Sequence, residues 1–215
     1  MKRTLPIALA LSFACSMAFA DASLHTRGDA LMGLASDDAT NRAEAAAWIA
    51  GNGSGEDSRL LVERLVDDSP AVREVAEQGL WMLWAKSGDE VVDNLMARGV
   101  GELQSGQVQD ALATFSEVID RKPEFAEAFN QRAMVLFMVG DFKKSLDDCN
   151  EVIKRNPQHF GALAGFGQIY FRQEQYAKAI SYWKKALEIN PHMPTIQRNI
   201  KAAEDMMKIG NTQMT

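Results

Sequence analysis

The chain has 215 residues, of which 47% are hydrophobic and 24% are charged, and its formal net charge is −6. A protein that binds nucleic acid through phosphate contacts needs a basic stripe. The basic pairs at residues 143–144 and 184–185 are short and lie within acidic surroundings. The composition therefore argues against nucleic acid as a partner, and it provides enough apolar surface for a continuous core.

The first twenty residues have the pattern of an export signal. Lys2 and Arg3 give a basic start, residues 5–19 form an apolar run, and Ala18 and Ala20 form the small-x-small site that a signal peptidase needs. The run is shorter than the roughly 20 residues that a membrane span requires, so we expect a cleaved signal rather than a retained anchor. Cleavage after Ala20 would remove two basic residues and no acidic one, which changes the net charge from −6 to −8.

The signal predicts an exported protein, which we expect in the periplasm of a Gram-negative bacterium. Cys15 allows a lipoprotein as the alternative, but residues 12–14 ahead of it lack the aliphatic residue that begins a lipobox. Only Cys149 of the two cysteines remains after cleavage, so one mature chain cannot form an internal disulfide. Its stability must therefore come from packing.

Residues 21–90 carry a helical pattern that recurs at a spacing of 31 residues. The residues Asp37, Arg42, Ala45 and Ile49 of the first copy recur as Asp68, Arg73, Ala76 and Leu80. In the second copy Ser69 can cap a helix and Pro70 fits its first turn. This stretch resembles the second helix of a HEAT repeat. The resemblance implies that the Asp and Arg side chains form a structural ladder between neighbouring repeats.

Three prolines divide the next part of the chain into similar units. Pro123, Pro157 and Pro191 stand 34 residues apart and close units at residues 92–125, 126–159 and 160–193. Each unit has two apolar stripes at helical spacing, and the proline at its end cannot extend the preceding helix. A fixed period of roughly 20 to 50 residues is typical of a solenoid, in which each unit packs only on its neighbours.

The turn inside each unit requires a tight helix end. Gly106 and Gly140 supply the positive φ that such an end favours, while Glu174 stands at the matching position of the third unit. We expect a capped turn to accommodate this departure.

The three units resemble tetratricopeptide repeats, and the third is the best match. Its signature columns hold Leu163, Phe166, Gly167, Tyr170, Tyr176, Ala179, Trp183, Ala186 and Pro191. Small residues such as Gly99 and Gly167 let the two helices of a hairpin approach, and large residues such as Phe115 and Trp183 fill the space beside them. The resemblance implies a right-handed superhelix of hairpins over residues 91–193.

Polar residues at Arg98, Glu102 and Arg132 depart from the apolar columns of that family. Residues 194–209 keep one apolar stripe, which predicts a terminal capping helix that Gly210 ends. The apolar stripe consists of Ile196, Ile200, Ala203 and Met207. Residues 210–215 are then expected to form a flexible tail.

The predicted fold class is all-α, an α-solenoid of antiparallel helical hairpins that is HEAT-like over residues 21–90 and tetratricopeptide-like over residues 91–193. Trp81 and Trp84 lie three residues apart near the junction of the two repeat types. We expect them to pack against the first tetratricopeptide hairpin rather than to hold a ligand.

Catalytic and metal-binding patterns are weak in this sequence. His25, His159 and His192 have no second ligand type at metal spacing, so we expect no metal, no cofactor and no enzymatic activity. Cys149 shares a column with apolar residues of the other units, which indicates a packing residue. The acidic cluster around residues 147–151 is expected to be a solvated helix face, because it lacks the glycine turn of a calcium loop.

The tetratricopeptide resemblance implies that the first helix of each hairpin lines a concave binding surface, and helical spacing selects its residues. The predicted groove consists of Met96, Val100, Gln104, Asn130, Met134, Phe137, Met138, Ala164, Gln168, Phe171 and Arg172. Methionine tolerates varied partner shapes. The alternative is that Met134 and Phe137 pack between hairpins and expose little surface.

Some family members hold chaperone tails with a lysine and asparagine clamp around a terminal carboxylate. This sequence departs from that pattern at Met96 and Val100, so carboxylate clamping is not expected. Gly161 and Gly165 destabilise a helix relative to alanine. Their presence on the predicted concave face predicts that the backbone of a partner approaches closely there.

The sequence predicts a noncatalytic protein–protein interaction adaptor or scaffold of the bacterial cell envelope. Its groove would hold a helical or extended apolar segment of another protein, with Arg172 near an acidic group on that segment. The alternative is a periplasmic chaperone-like or assembly factor that transiently holds envelope or secreted clients. The identity of the partner and the oligomeric state stay open.

Overall fold

The computed structural model describes the backbone of residues 24–213 and the side chains of residues 24–209. Within this part the chain forms eleven α-helices and two short 3-10 helices, and it contains no strand, as the all-α prediction requires. The predicted export signal, its cleavage site and Cys15 lie outside the described residues. No helix of the described part is long and apolar enough to cross a bilayer.

The first four α-helices form an N-terminal unit. They are α1 (Arg27–Leu34), α2 (Ala39–Asn52), α3 (Ser58–Val62) and α4 (Pro70–Trp84), with 3-10 segments at Gly55–Asp57 and Glu63–Val66. Helices α2 and α4 pack along each other. Their close approach depends on Gly79, because a Cβ at this position would lie only 2.8 Å from the Cβ of Ala50.

Arg42 connects the two halves of the N-terminal unit. Its Nε and one terminal nitrogen donate to the two carboxylate oxygens of Asp67 at 2.9 and 2.7 Å, and its other terminal nitrogen donates to the carbonyl of Asp37 at 3.0 Å. Arg73 donates to the carbonyls of Asp67 and Asp68 at 2.6 and 3.0 Å. The terminal nitrogen of Arg42 that contacts Asp67 also donates to a carboxylate oxygen of Asp68, so the predicted Asp and Arg residues do pair between the two copies. Asp67, which the repeat alignment did not select, accepts the bidentate contact.

The Arg42–Asp67 contact should make the stability of the fold depend on pH in the acidic range. The hydrogen bonds from Arg42 lower the pKa of Asp67 from 3.8 to about 2. A lowered carboxyl pKa contributes stability above the unfolded value, and this contribution disappears as the pH falls from about 4 through about 2. We expect Asp67→Asn to lower the free energy of unfolding by on the order of 1 kcal/mol relative to the native chain at pH 7. Near pH 2 the two chains should have almost the same stability. Urea unfolding of both chains at both pH values measures this. A difference in stability between the two chains that is the same at pH 7 and near pH 2 would contradict the prediction.

The next six helices pack as three hairpins, one in each predicted unit. They are α5 (Glu90–Gln104), α6 (Val108–Arg121), α7 (Ala126–Met138), α8 (Phe142–Arg155), α9 (Phe160–Arg172) and α10 (Tyr176–Ile189). A Cβ at Gly99 would lie 2.7 Å from the ring of Phe115, and one at Gly167 would lie 2.3 Å from the ring of Trp183. These clashes explain why the first helix of each hairpin needs a small residue where the second helix carries a large one.

The turns inside the hairpins have left-handed backbone. Gly106 and Gly140 have φ values of +77° and +83°, as the sequence predicted. Glu174 has φ +59° and adopts the same region without the freedom of glycine. The third hairpin therefore keeps the turn geometry of the other two.

The polar residues that depart from the apolar columns pair with polar residues of the second helix of the same hairpin. Arg132 on α7 donates to both carboxylate oxygens of Asp148 on α8 at 2.8 Å. In the first hairpin Arg98 donates to Glu117, and Glu102 accepts a hydrogen bond from Thr114 at 2.7 Å. Asp148 was expected on a solvated face, but it is buried beneath this ion pair. The ion pair with Arg132 across the hairpin compensates the cost of burying the carboxylate of Asp148.

Helix α11 (Pro194–Gln213) packs on α10 and covers the last hairpin. Ile196 and Ala203 are buried against Trp183 and Ala179 of α10. The helix continues four residues past its predicted end at Ile209, so residues 210–213 are helical where a tail was expected.

Candidate partner-binding site

A cavity of about 980 Å³ lies between the N-terminal unit and the second and third hairpins. Residues of α7, α8 and α9 line one side, which we call the repeat wall, and residues of α2 and α4 line the other, which we call the N-terminal wall. The volume is near the upper limit of ordinary ligand pockets. The concave surface predicted from the repeats is therefore one wall of a two-walled site.

The repeat wall combines apolar and amide side chains. Asn130, Met134 and Phe137 of α7 and Gln168 of α9 line it, as predicted for the groove. Met134 and Phe137 are half-buried, so they are partly packed and still border the cavity. Phe137 also packs against Phe142, with ring centroids 5.7 Å apart.

The N-terminal wall was not predicted from the sequence. It includes Val75, Gln78 and Met82 of α4, and Met82 is 50% exposed. Small residues at Ala47 and Ala50 of α2 complete it. Helix α4 therefore presents both a long flexible apolar side chain and an amide to the cavity.

Two tryptophans of α4 fix the N-terminal unit on α9. The ring of Trp84 stacks on His159 at a centroid distance of 4.4 Å and lies 5.3 Å from Phe160. Trp81 approaches Phe160 at 5.2 Å, and a Cβ at Gly161 would lie only 2.4 Å from its ring. We call Trp81, Trp84, His159 and Phe160 the aromatic cluster.

The aromatic cluster corrects two expectations. The tryptophans pack against the third hairpin instead of the first, and the close approach permitted by Gly161 serves Trp81 of the same chain rather than a partner. Gly165 is different, because a Cβ there would meet only the sulfur of Cys149 at 3.6 Å. It lines the cavity and leaves space for a bound segment.

His159 is fully buried and connects the aromatic cluster to the repeat wall. Its Nδ1 accepts a hydrogen bond from the backbone N–H of Ala162 at 3.0 Å, so the proton is on Nε2. This Nε2–H donates to Oε2 of Glu127 at 3.1 Å. His159 is thus the buried N-cap of α9.

Glu127 is the only Asp, Glu, Lys or Arg that lines the cavity in the described part of the chain. Its Oε1 accepts hydrogen bonds from the side-chain amides of Asn130 at 3.1 Å and Gln131 at 2.6 Å, and its Oε2 is held by His159. Both carboxylate oxygens are therefore occupied. Among the described residues, the single charge that borders the cavity is therefore buried, at 5% exposure, beneath three hydrogen bonds from neutral groups.

Gln131 has an unsatisfied acceptor. Its Nε2 faces Glu127, which fixes the orientation of the amide because an oxygen at that place would repel the carboxylate. Its Oε1 is buried and has no hydrogen-bond partner among the described residues. Such an atom costs about 1 to 3 kcal/mol when it is left unpaired.

Several predicted groove residues pack within the repeats instead of facing the cavity. Met96 is only 7% exposed and lies in the core of the first hairpins with Val92 and Phe115. The carbonyl of Ala164 accepts the indole N–H of Trp183, and the ring of Phe171 lies 5.7 Å from the same indole. These contacts fill the interface between α9 and α10.

The other predicted residues lie outside the cavity for geometric reasons. Gln104 and Met138 are exposed at the ends of their helices, and Val100 is half-buried against the core of the first hairpin. The guanidinium of Arg172 lies 5.9 Å from the ring of Phe137, at the edge of the site. The first hairpin thus contributes nothing to the cavity.

Cys149 lies on the repeat wall and is 3% exposed. Burial raises the pKa of its thiol to about 12, so the thiol is protonated at neutral pH. It packs with Ala133, Phe166 and Ile169, which agrees with the packing role predicted from its column. Residues 24–209 contain no group of three His, Cys, Asp or Glu side chains arranged to hold a metal ion.

The hairpins and the concave wall define an all-α helical solenoid. Models of the tetratricopeptide repeat match residues 96–160 and 165–193. The chain therefore carries tetratricopeptide repeats over these residues, as their signature columns had predicted.

Curated relatives match the repeat region. A TPR repeat-containing protein of Rhizobium etli is 31% identical over 117 residues, which cover 54% of this chain and 57% of that protein. A small glutamine-rich tetratricopeptide repeat-containing protein of Dictyostelium discoideum is 29% identical over 131 residues, covering 60% of this chain and 39% of that protein. The match thus spans about half or less of the length of these relatives.

Solved structures share the fold. The first TPR of Spaghetti (RPAP3), bound to the HSP90 peptide SRMEEVD, has a TM-score of 0.53 at 18% identity and covers 54% of this chain and 93% of its own. The Sgt2 TPR domain from Aspergillus fumigatus has a TM-score of 0.55 at 16% identity, covering 58% of this chain and 83% of its own. MamA has a TM-score of 0.53 at 19% identity, and the match covers 63% of this chain and 81% of MamA.

Proposed function

We propose that this chain is a noncatalytic protein–protein interaction adaptor of the bacterial cell envelope. It holds an apolar segment of another protein in the cavity between the N-terminal wall and the repeat wall. The observation that carries the proposal is this cavity of about 980 Å³, bordered by Met82, Met134 and Phe137. Tetratricopeptide repeats typically mediate protein interaction, and the RPAP3 domain with the same fold was solved with a bound peptide.

The type of segment differs from the peptide in that complex. The HSP90 peptide SRMEEVD carries acidic residues. In this chain Met96 is buried and Val100 is half-buried, and Glu127 is the only carboxylate that borders the cavity. An acidic segment would find no cation there, which supports an apolar segment.

The envelope location and the type of the N-terminal unit are part of the proposal. Residues 1–20 have the pattern of a cleaved export signal, which supports a periplasmic protein. The contact of Arg42 with Asp67 links the two copies of the 31-residue pattern, which supports a HEAT-like assignment of residues 21–90.

Substitutions in the repeat wall test the proposal. Met134→Glu places a charge in the cavity and Gly165→Leu fills it, so both should reduce capture of the partner at least tenfold. Met206→Glu is the matched control, because Met206 is 43% exposed on α11 and lies outside the cavity. Capture is measured by crosslinking in the native envelope, followed by binding of the identified segment, made synthetically, to the purified chain.

Thermal unfolding of the same variants separates binding from folding. Nearly unchanged melting temperatures with lost capture support the site, whereas a large loss of melting temperature would make Met134 and Gly165 core positions. An adaptor should bind one or two partners stoichiometrically. Suppression of the aggregation of unrelated unfolded proteins, without such a partner, would replace the proposal by the chaperone-like alternative.

A further inference from the structure

We propose that two copies of this chain associate through helix α11, which pairs in antiparallel orientation with the α11 of the second copy. This contact goes beyond the proposed function, because no described residue of α11 lines the cavity. Two features of α11 carry the proposal, a second apolar stripe that is exposed and the order of the charges beside it.

Helix α11 carries two apolar stripes. Ile196 and Ala203 belong to the predicted stripe and are buried against α10. The second stripe consists of Ala202, Met206 and Ile209, which are spaced by four and three residues and therefore lie on one side of the helix. All three are exposed. A helix that buries one apolar stripe and exposes another has an apolar side left for a second neighbour.

The exposed stripe is part of a contiguous apolar patch. Met206 and Ile209 are 43% and 53% exposed, and Met207 beside them is 38% exposed. Elsewhere in the described part of the chain, exposed large apolar side chains occur singly or as neighbouring pairs. Contiguous exposed apolar patches mark interaction surfaces, whereas scattered residues do not.

The charges beside the stripe identify a second copy as its occupant. Arg198 and Asp205 are seven residues apart, so they lie on the same flank of the stripe, before and after Ala202. In an antiparallel pair that crosses at Ala202, the same flanks face each other. Arg198 of each copy then lies level with Asp205 of the other, and the two-fold symmetry forms this ion pair twice. A parallel pair would set like charges side by side.

The contacts that Arg198 and Asp205 make within one chain do not prevent this pairing. Arg198 donates to the hydroxyl of Thr195 at 2.9 Å, and Asp205 lies 3.4 Å from Lys208. Both contacts lie on the exposed surface of α11, where such pairs contribute little to stability. They can therefore exchange for contacts with a second copy at little cost.

Ala202 is suited to the crossing point. Its small side chain lets two helix axes approach to about 8 Å. At this crossing Met206 packs on the aliphatic part of Arg198 of the second copy. One helix pair is smaller than the standard interface of about 1,600 Å², so we expect a dimer that forms in a concentration-dependent way.

Sedimentation equilibrium of the purified chain over a wide range of concentration tests the dimer. Met206→Glu should raise its dissociation constant at least tenfold, because the two-fold symmetry places the new charge in the interface twice. Met138→Glu is the matched control, since Met138 is 48% exposed at the end of α7, and it should leave the constant unchanged. A monomer at every concentration, or equal effects of the two substitutions, would overturn the proposal.

Charge reversal tests the antiparallel order. Asp205→Arg alone should weaken the dimer severalfold, because each Arg198 then faces a positive charge. Adding Arg198→Asp to the same chain should restore the dimer. A double variant that associates as weakly as the single variant would contradict the antiparallel arrangement.

The dimer and the proposed function fail separately. Met206→Glu should dissociate the dimer and leave capture of the apolar segment unchanged, whereas Met134→Glu should lose capture and keep the dimer. Capture by a chain that never dimerises would overturn the dimer alone. A dimer that captures no partner would overturn the proposed function alone.

Discussion

Trp84→Ala should lower the free energy of unfolding by about 4 kcal/mol, because it removes a large side chain that is only 8% exposed. The indole stacks on His159 at 4.4 Å and packs on Phe160, so its loss leaves a void between α4 and α9. Urea unfolding followed by circular dichroism measures the change. The same variant should capture the apolar segment of the partner more weakly, because α4 loses its contact with the repeats.

Trp84→Phe is the control for this prediction. The indole N–H of Trp84 has no hydrogen-bond partner in the described part, so phenylalanine keeps the stacking and loses no hydrogen bond. We expect it to cost less than about 1.5 kcal/mol. A loss below about 1 kcal/mol for Trp84→Ala would show that the aromatic cluster does not hold the two units together.

Glu127→Ala should cost about 2 kcal/mol, because the buried Nε2–H of His159 and the amides of Asn130 and Gln131 lose their acceptor. Glu127→Gln should cost less, since its carbonyl oxygen still accepts one of these hydrogen bonds. Both are measured by urea unfolding at pH 7.

The control for Glu127 is its neighbour on the surface. The side chain of Glu124 is 68% exposed and lies 3.6 Å from Lys122, so Glu124→Ala should change stability by less than about 0.5 kcal/mol. Equal losses for Glu124→Ala and Glu127→Ala would contradict a special role for the buried carboxylate.

The hairpins could be predicted because their signals are local and periodic. The 34-residue spacing of Pro123, Pro157 and Pro191 fixes the units, and the pairing of Gly167 with Trp183 recurs as Gly99 with Phe115. Each signal lies within one period, so the sequence alone reveals it.

The N-terminal wall could not be predicted, because the contact of Trp81 with Gly161 joins residues far apart in the chain and repeats nowhere. One signal could have indicated part of it. His159 occupies the column that holds Phe125 and Met193 in the other units, and an apolar column predicts burial. Asp67 was missed because the 31-residue alignment selects only Asp68, whereas both neighbouring aspartates pair with Arg42.

About a third of the predicted groove lines the cavity, and the difference has a physical cause. Helical spacing selects one face of each first helix, but it does not tell which part of that face packs against the next hairpin. Phe171 and Ala164 face α10 for this reason, and Met96 is enclosed by its own hairpin. Asn130, Met134, Phe137 and Gln168 remain open because α4 stands opposite them at a distance.

The two-walled site is tested most directly by photo-crosslinking from both walls. A photoreactive amino acid is placed at Met82 or at Met134, and the crosslinked residues of the captured partner are identified by mass spectrometry. We expect both positions to crosslink to the same short apolar segment of one protein. Crosslinks from Met134 and Met82 to unrelated proteins, or efficient capture only from the control positions Met138 and Met206, would contradict a partner held between α4 and the tetratricopeptide repeats.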